Sequence, residues 1–71
     1  MNSMYNTVFL NGKPLNCLTK MSLYDLLVYH QFNINSIVVE YNKRIISKDA
    51  LTGIVLKAQD NIEVITIVGG G

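Results

Sequence analysis

Apolar and polar residues alternate along several short stretches of this chain, a pattern typical of strands with one buried face. Met4 to Leu10 predicts a first strand, and Asn11-Gly12 follows it directly. This pair is a strong hairpin signal, because a type I′ turn needs positive φ at both central positions. Pro14 to Leu18 predicts the returning strand, in which Pro14 is tolerated only at the start or on an edge of the sheet.

The spacing of apolar residues then changes from two to between three and four, which predicts a helix from Ser22 to about Gln31. Ser22 is a favourable N-cap, and Asp25 stands three residues later, where a capping box places its acidic partner. The stripe that this helix would lay on the sheet consists of Leu23, Leu26, Leu27 and His30.

Two more strands are predicted in the second half of the chain. Ile37 to Tyr41 and Arg44 to Ser47 have strand composition and are separated by a turn at Asn42-Lys43. Lys48 to Gly53 predicts a turn or a single helical turn, and Ile54-Val55-Leu56 is apolar but ambiguous.

A turn at Gln59-Asp60-Asn61 leads into the last predicted strand, Ile62 to Val68, which is rich in β-branched residues. The element order is a hairpin, a helix, two strands and a final strand. Right-handed crossovers and short connections then place the first and last strands side by side and parallel in the middle. We therefore expect an α+β domain over residues 1–68, a ubiquitin-like β-grasp in which four to five strands form a mixed sheet on one helix.

Composition narrows the function classes. The 71 residues are 49% hydrophobic and 15% charged, too apolar for a disordered segment, and form one small domain. The net charge is +1 and the basic residues are scattered, so we expect no nucleic-acid partner. We expect no signal peptide and no membrane partner, since no apolar run approaches spanning length. One cysteine excludes an internal disulfide and suits a reducing compartment, either the cytoplasm or the plastid stroma if the gene is organellar.

No residue set resembles a catalytic or metal centre. Cys17 lies in a predicted strand without a second cysteine or a cationic neighbour, so a buried, inert thiol is expected. His30 has no matching ligand set and is expected to pack or cap, and Asp25 with Ser22 is a cap rather than an acid–base pair. Nothing resembles a phosphate-cradling loop, so the protein is not expected to hold ATP itself. Because no acid–base, nucleophile or metal set is visible, neither an enzyme activity, a metal nor a bound cofactor is expected.

Gly69-Gly70-Gly71 follow the last strand as a predicted flexible tail. Fully extended, three residues reach roughly 10 Å beyond the sheet, and they carry the α-carboxylate of Gly71. Fraying would account for disorder at a terminus but not for three successive glycines. A slender tail that enters the active site of another protein does need them, because glycine has no side chain to obstruct a narrow channel.

A docking surface is expected beside the tail. If Glu63 faces solvent, Ile65 and Ile67 lie on the same face of the sheet, because side chains alternate along a strand. If Val8 and Leu10 face the helix, Phe9 points away from it. Phe9, Ile65 and Ile67 would then form an exposed apolar patch, as expected of an interaction site. Coverage of a core edge, or a dimer contact, remains an equal alternative.

Five stretches in this order and spacing are shared with a known family: Phe9 to Lys13, Leu23 to Leu27, Ile37 to Ile46 with Lys48-Asp49, Asp60 to Val64, and the glycine terminus. Through them, nearly the whole chain resembles the ThiS family of sulfur carriers of thiamine biosynthesis. Two departures are Gln59-Asp60, where the family commonly has Gly-Asp, and a third glycine where two suffice.

The resemblance implies a carrier that acts as a co-substrate of enzymes. A ubiquitin-activating-type adenylyltransferase would use ATP to form a transient AMP adduct on the carboxylate of Gly71. Sulfur from a donor such as a cysteine desulfurase would then leave a thiocarboxylate. Thiazole synthase would use this sulfur, with 1-deoxy-D-xylulose 5-phosphate as co-substrate. Alternatives are a carrier for molybdopterin synthesis, a ubiquitin-like modifier of lysines, and a β-grasp binding module whose tail is incidental.

Overall fold

The computed structural model describes residues 4–68, which form a five-stranded mixed sheet with one face covered by a short helix. The strands lie in the order β2-β1-β5-β3-β4. Their bounds are β1 Tyr5–Leu10, β2 Lys13–Leu18, β3 Ile37–Tyr41, β4 Arg44–Ile46 and β5 Asn61–Thr66, with helix α1 at Leu23–Tyr29 between β2 and β3.

The predicted α+β β-grasp architecture is confirmed, including the two central strands. β1 and β5 are parallel neighbours, with Phe9 beside Asn61 and Leu10 beside Ile62. On its other side, β5 is antiparallel to β3, and the register runs from Ile62 to Thr66. The outermost strand next to β1 is β2, so Pro14 does lie on an edge.

Both hairpins turn through left-handed backbone. Asn11 and Gly12 have φ of 51° and 82°, as the sequence predicts for a type I′ turn. Asn42 and Lys43 repeat this geometry between β3 and β4, with φ of 50° and 71°. The second turn therefore holds a lysine in a conformation that glycine adopts at lower cost.

The helix starts as predicted and ends earlier. The Ser22 hydroxyl accepts a hydrogen bond from the Asp25 amide, and the Asp25 carboxylate accepts one from the Ser22 amide, so the capping box is present. The helix ends at Tyr29, two residues before the predicted limit, because Gln31 has a φ of 65°. The Gln31 and Phe32 amides bond back into the last turn as in a Schellman motif.

The core lies between the helix and the sheet. A 3-10 helix, Lys48–Gly53, adds Leu51 to the core. The segment Ile54-Val55-Leu56, which was ambiguous in the sequence, forms an isolated bridge from Val55 to Ser22 and is not part of the sheet. The last strand begins at Asn61 and ends at Thr66, whereas the sequence predicted 62–68. The buried apolar residues are Val8, Leu10, Cys17, Leu23, Leu26, Leu27, Val39, Leu51, Leu56 and Ile62.

Candidate functional site: the end of the last strand and the open sheet face

The last described residues leave the sheet from its centre. After Thr66 the chain is still attached to the fold, because the Ile67 amide donates a 2.8 Å hydrogen bond to the Ser36 carbonyl. Val68, the next residue, is 87% exposed. Gly69, Gly70 and Gly71 lie outside the described residues, so their roles and the boundary between residues 68 and 69 remain predictions.

Two asparagine side chains hold β5 in place. Asn11 follows the end of β1, and its Oδ1 accepts a 2.8 Å hydrogen bond from the Val64 amide. The side chain thus continues the β1 ladder beyond the end of its backbone. On the opposite side, Asn42 Oδ1 accepts a 2.8 Å bond from the Asn61 amide. The strand that precedes the tail is therefore attached to both hairpin turns, which limits its motion relative to the sheet.

A buried carboxylate lies just before β5. Asp60 is 7% exposed, and its Oδ2 accepts hydrogen bonds from the Tyr41 hydroxyl at 2.5 Å and the Lys57 amide at 2.7 Å. Its Oδ1 accepts one from Asn42 Nδ2 at 3.1 Å. Asp60 thus connects β3, the β3–β4 turn and the loop that enters β5.

The electrostatics of this cluster favour an ionised carboxylate next to a neutral phenol. Burial alone would raise the pKa of Asp60, but the hydrogen bonds from Tyr41, Lys57 and Asn42 outweigh it, and the pKa is lowered. Burial, the hydrogen bond to Asp60 and its negative charge raise the pKa of Tyr41 to about 12. The arrangement fixes one protonation state, as expected of a structural clamp.

Sequence reasoning missed this cluster. The predicted turn at Asp60 is present, with the Asp60 amide bonded to the Lys57 carbonyl, but the sequence did not indicate that Asp60 and Tyr41 meet. Asp60 is 18 residues from Asn42 and 19 from Tyr41 along the chain. No local sequence pattern indicates that such residues meet. The sequence shows only that Tyr41 and Asn42 stand at the end of one predicted strand and that Asp60 shortly precedes another.

The predicted patch lies on the sheet face opposite the helix, which we call the open face. Glu63 is exposed, as the prediction required. Ile65 is 56% exposed and Ile67 53%. Phe9 pairs with Pro14 across the hairpin and is partly buried, so it presents less surface than the sequence indicated. A binding role for the three residues remains a prediction.

The other candidates do not form a reactive site. Cys17 is 3% exposed beside a shallow cleft of about 260 Å³ between β2 and α1, and burial raises the pKa of its thiol, so the expectation of a buried cysteine is confirmed. His30 is the exposed C-cap residue of α1, and its ring stands edge-on to Tyr29 at 5.3 Å. Between Met4 and Val68 no group of three or more His, Cys, Asp or Glu side chains is placed to hold a metal ion. Within the same range, no helix combines the length and apolar character needed to cross a bilayer.

A solved structure has the same fold. The crystal structure of the thiamine biosynthesis protein ThiS from Geobacter metallireducens superposes with a TM-score of 0.76 and covers 92% of this chain and 99% of that one. The two sequences are 24% identical, so this similarity concerns the fold.

Sequence relatives extend the comparison. The chain is 41% identical over 69 residues to the uncharacterized protein ycf40 of Trieres chinensis, covering 97% of this chain and 94% of that protein. It is 42% identical over 65 residues to ycf40 of Pyropia yezoensis, covering 92% of each. It is also 36% identical over 64 residues to a thiazole synthase of Magnetococcus marinus, covering 90% of this chain but 20% of that protein.

The family comparison covers the tail as well as the domain. The model of the ThiS family matches residues 8–71, which begin within β1 and include the other four strands and all three terminal glycines. The chain belongs to the ThiS family, a family of small sulfur carrier proteins.

Proposed function

We propose that this protein carries sulfur on its C-terminus for formation of the thiazole ring of thiamine. The carboxylate of Gly71 is adenylated by a ubiquitin-activating-type adenylyltransferase and converted to a thiocarboxylate. Sulfur comes from a donor such as a cysteine desulfurase, and thiazole synthase consumes it. The protein is a co-substrate in these reactions, and the partner enzymes supply the catalytic groups.

The observation that carries the proposal is the match to the ThiS family through Gly71. The pathway is supported by the Magnetococcus marinus protein, because a segment similar to this chain is covalently part of a protein named thiazole synthase. Such a fusion would keep a carrier beside the enzyme that uses its sulfur, at a high effective concentration.

The chemistry needs activation and enclosure. A carboxylate oxygen attacks the α-phosphate of ATP, pyrophosphate leaves, and the resulting mixed anhydride has an electrophilic carbonyl carbon. Sulfide displaces AMP at that carbon and leaves the thiocarboxylate directly. The persulfide of a desulfurase would instead form an acyl disulfide, and a thiol would then attack the donor's sulfur, form a disulfide with it and release the thiocarboxylate. Because water would hydrolyse the anhydride, the partner must enclose the tail, and a side chain near Gly71 would obstruct that enclosure.

The open face supplies a surface for docking in this proposal. Ile65 and Ile67 are exposed directly before the tail, so a partner that encloses the tail lies over them. Algae are the source of the ycf40 relatives, which supports the plastid stroma as the compartment.

The direct test is the intact mass of the protein after incubation with ATP, the adenylyltransferase and a sulfur source. We expect an AMP adduct first and then the mass change of one oxygen replaced by sulfur. Gly71→Ala should reduce both products, and removal of Gly70-Gly71 should abolish them. Gly53→Ala is the matched control, because a Cβ at Gly53 meets no atom within 4 Å. Absence of both products for the wild type, or normal products from the truncated chain, would overturn the proposal.

A second assay separates the pathways. The thiocarboxylated protein is offered to thiazole synthase or to a molybdopterin synthase subunit, and sulfur transfer is followed as the return of the original mass. Transfer to thiazole synthase alone supports the proposal, and transfer to the molybdopterin enzyme alone assigns the other pathway. Attachment of the chain to lysines of other proteins would instead indicate a modifier.

A further inference from the structure

The open face carries an acidic pair in addition to its apolar residues. Glu40 of β3 and Glu63 of β5 lie directly opposite each other in the antiparallel register. Neither carboxylate forms an ion pair or a side-chain hydrogen bond with another residue between Met4 and Val68. Like charges at directly opposed strand positions destabilise a sheet. The fold itself therefore gives no reason for this pairing.

The basic residues that lie in strands are on the other face of the sheet. The chain has six Lys and Arg residues, of which two lie in strands. Those two, Lys13 and Arg44, pair with Leu10 and Tyr41, which pack on the helix side of the sheet. The strand positions of the open face thus hold two carboxylates and no cation, although the whole chain has a net charge of +1.

The acidic pair borders an apolar strip that leads to the tail. Two residues further along β5, Ile65 is opposite Val38 of β3. On the other side of Glu40, the exposed Ile45 of β4 lies directly opposite it, so an apolar side chain also borders the acidic pair at this edge. Since β-strands rise about 3.3 Å per residue, Glu63 lies roughly 13 Å before the point at Ile67 where the chain leaves the sheet.

We propose that the open face docks onto the adenylyltransferase through a surface that offers an apolar contact to Ile65 and an arginine or lysine to the Glu40–Glu63 pair. This inference rests on the proposed function. An enzyme that accommodates the triphosphate of ATP and a peptide carboxylate needs positive charge around the channel that the tail enters. Negative charge on the docking face steers the carrier towards such a surface, and the two cations that lie in strands are on the other face of the sheet.

The position of the pair predicts its kinetic effect. The acidic pair is at a distance from the tail, so it contacts the rim of the channel and does not contact the reacting atoms. Rim charges act mainly on the association rate and on its salt dependence. Neutralising the pair should therefore leave the adenylation rate at saturating carrier unchanged.

The test compares the wild type with Glu40→Gln/Glu63→Gln in binding kinetics with the adenylyltransferase at low and high salt. We expect Kd at low salt to rise about three- to tenfold, mostly through slower association, and the salt dependence to weaken. Glu63→Asp, which retains the charge, should bind nearly as the wild type does. Asp49→Asn is the control for loss of a single negative charge elsewhere, because Asp49 is exposed in the 3-10 helix that packs against α1, on the helix side of the sheet.

The outcomes distinguish the inference from the function on which it rests. Normal formation of the AMP adduct together with unchanged Kd and salt dependence in the double variant would overturn the docking surface alone. Failure of the wild type to form the adduct would overturn both. A wild-type dimer in sedimentation that Ile65→Glu dissociates would assign the face to a second copy of the chain, and would also overturn the proposal.

Discussion

Replacement of Asp60 by asparagine tests whether the buried cluster holds β5 in place. The substitution conserves shape but removes the charge. One oxygen can still accept from Tyr41 and Lys57, whose bonds converge on Oδ2. The new amide nitrogen then faces Asn42 Nδ2, which is also a donor. Asn42 cannot reverse its amide without losing the bond from the Asn61 amide to its Oδ1.

The magnitude follows from the three hydrogen bonds. A bond to a charged group contributes about 1.5–3 kcal/mol and a neutral one about 0.5–1.5 kcal/mol. Two weakened bonds and one lost bond are partly offset, because a neutral amide is easier to bury than a carboxylate. We expect Asp60→Asn to lower the free energy of unfolding by about 2–3 kcal/mol, or Tm by roughly 10–20 °C in a domain of this size.

The assay is urea unfolding at several pH values, with Asp49→Asn as the exposed control, expected to change stability by less than about 0.5 kcal/mol. The folded-state pKa of Asp60 is lowered. Its contribution to the free energy of unfolding is therefore complete above the unfolded-state pKa of about 3.9, and it is lost as the pH falls through the folded-state pKa. The stability gap between wild type and variant should therefore narrow below about pH 4. A gap that is absent at pH 7, or that stays constant under acid, would refute this account of the cluster.

Three further expectations concern Tyr41, Gln59 and Cys17. The pKa of Tyr41 is raised to about 12, so the contribution of its neutral hydroxyl to the free energy of unfolding is complete below about pH 10 and is lost as the pH rises through about 12. Tyr41→Phe should remove this alkaline loss of stability, which urea unfolding at pH 9–12 measures. Gln59 is exposed with a φ of 72°, so Gln59→Gly should raise the unfolding free energy by about 0.5–1 kcal/mol, and a decrease would contradict the strain argument. Cys17 should react with an aromatic disulfide reagent far more slowly in the folded protein than in urea, and equal rates would show that its strand opens readily.

The features that sequence analysis predicted correctly depend on short segments of chain. Asn11-Gly12 determines a type I′ turn because only these two residues must adopt positive φ, and Ser22 with Asp25 determines a helix start because the capping box spans four residues. Strand alternation likewise predicted that Glu63, Ile65 and Ile67 share an exposed face. The role of the glycine tail as the reactive end, which the family resemblance implies, remains a prediction.

Only the tertiary structure decided what surrounds that last strand. The bond from the Val64 amide to Asn11 spans 53 residues, and the Asp60 cluster joins segments 18 and 19 residues apart. The opposition of Glu40 and Glu63 likewise depends on the register between β3 and β5, which distant core contacts set. Local propensity depends only on neighbouring residues and cannot predict such contacts, because they form only after the chain has closed its long loops. The sequence by itself thus determined the turns, the cap and the element order, whereas packing decided how the strand before the tail is held and which charges share its face.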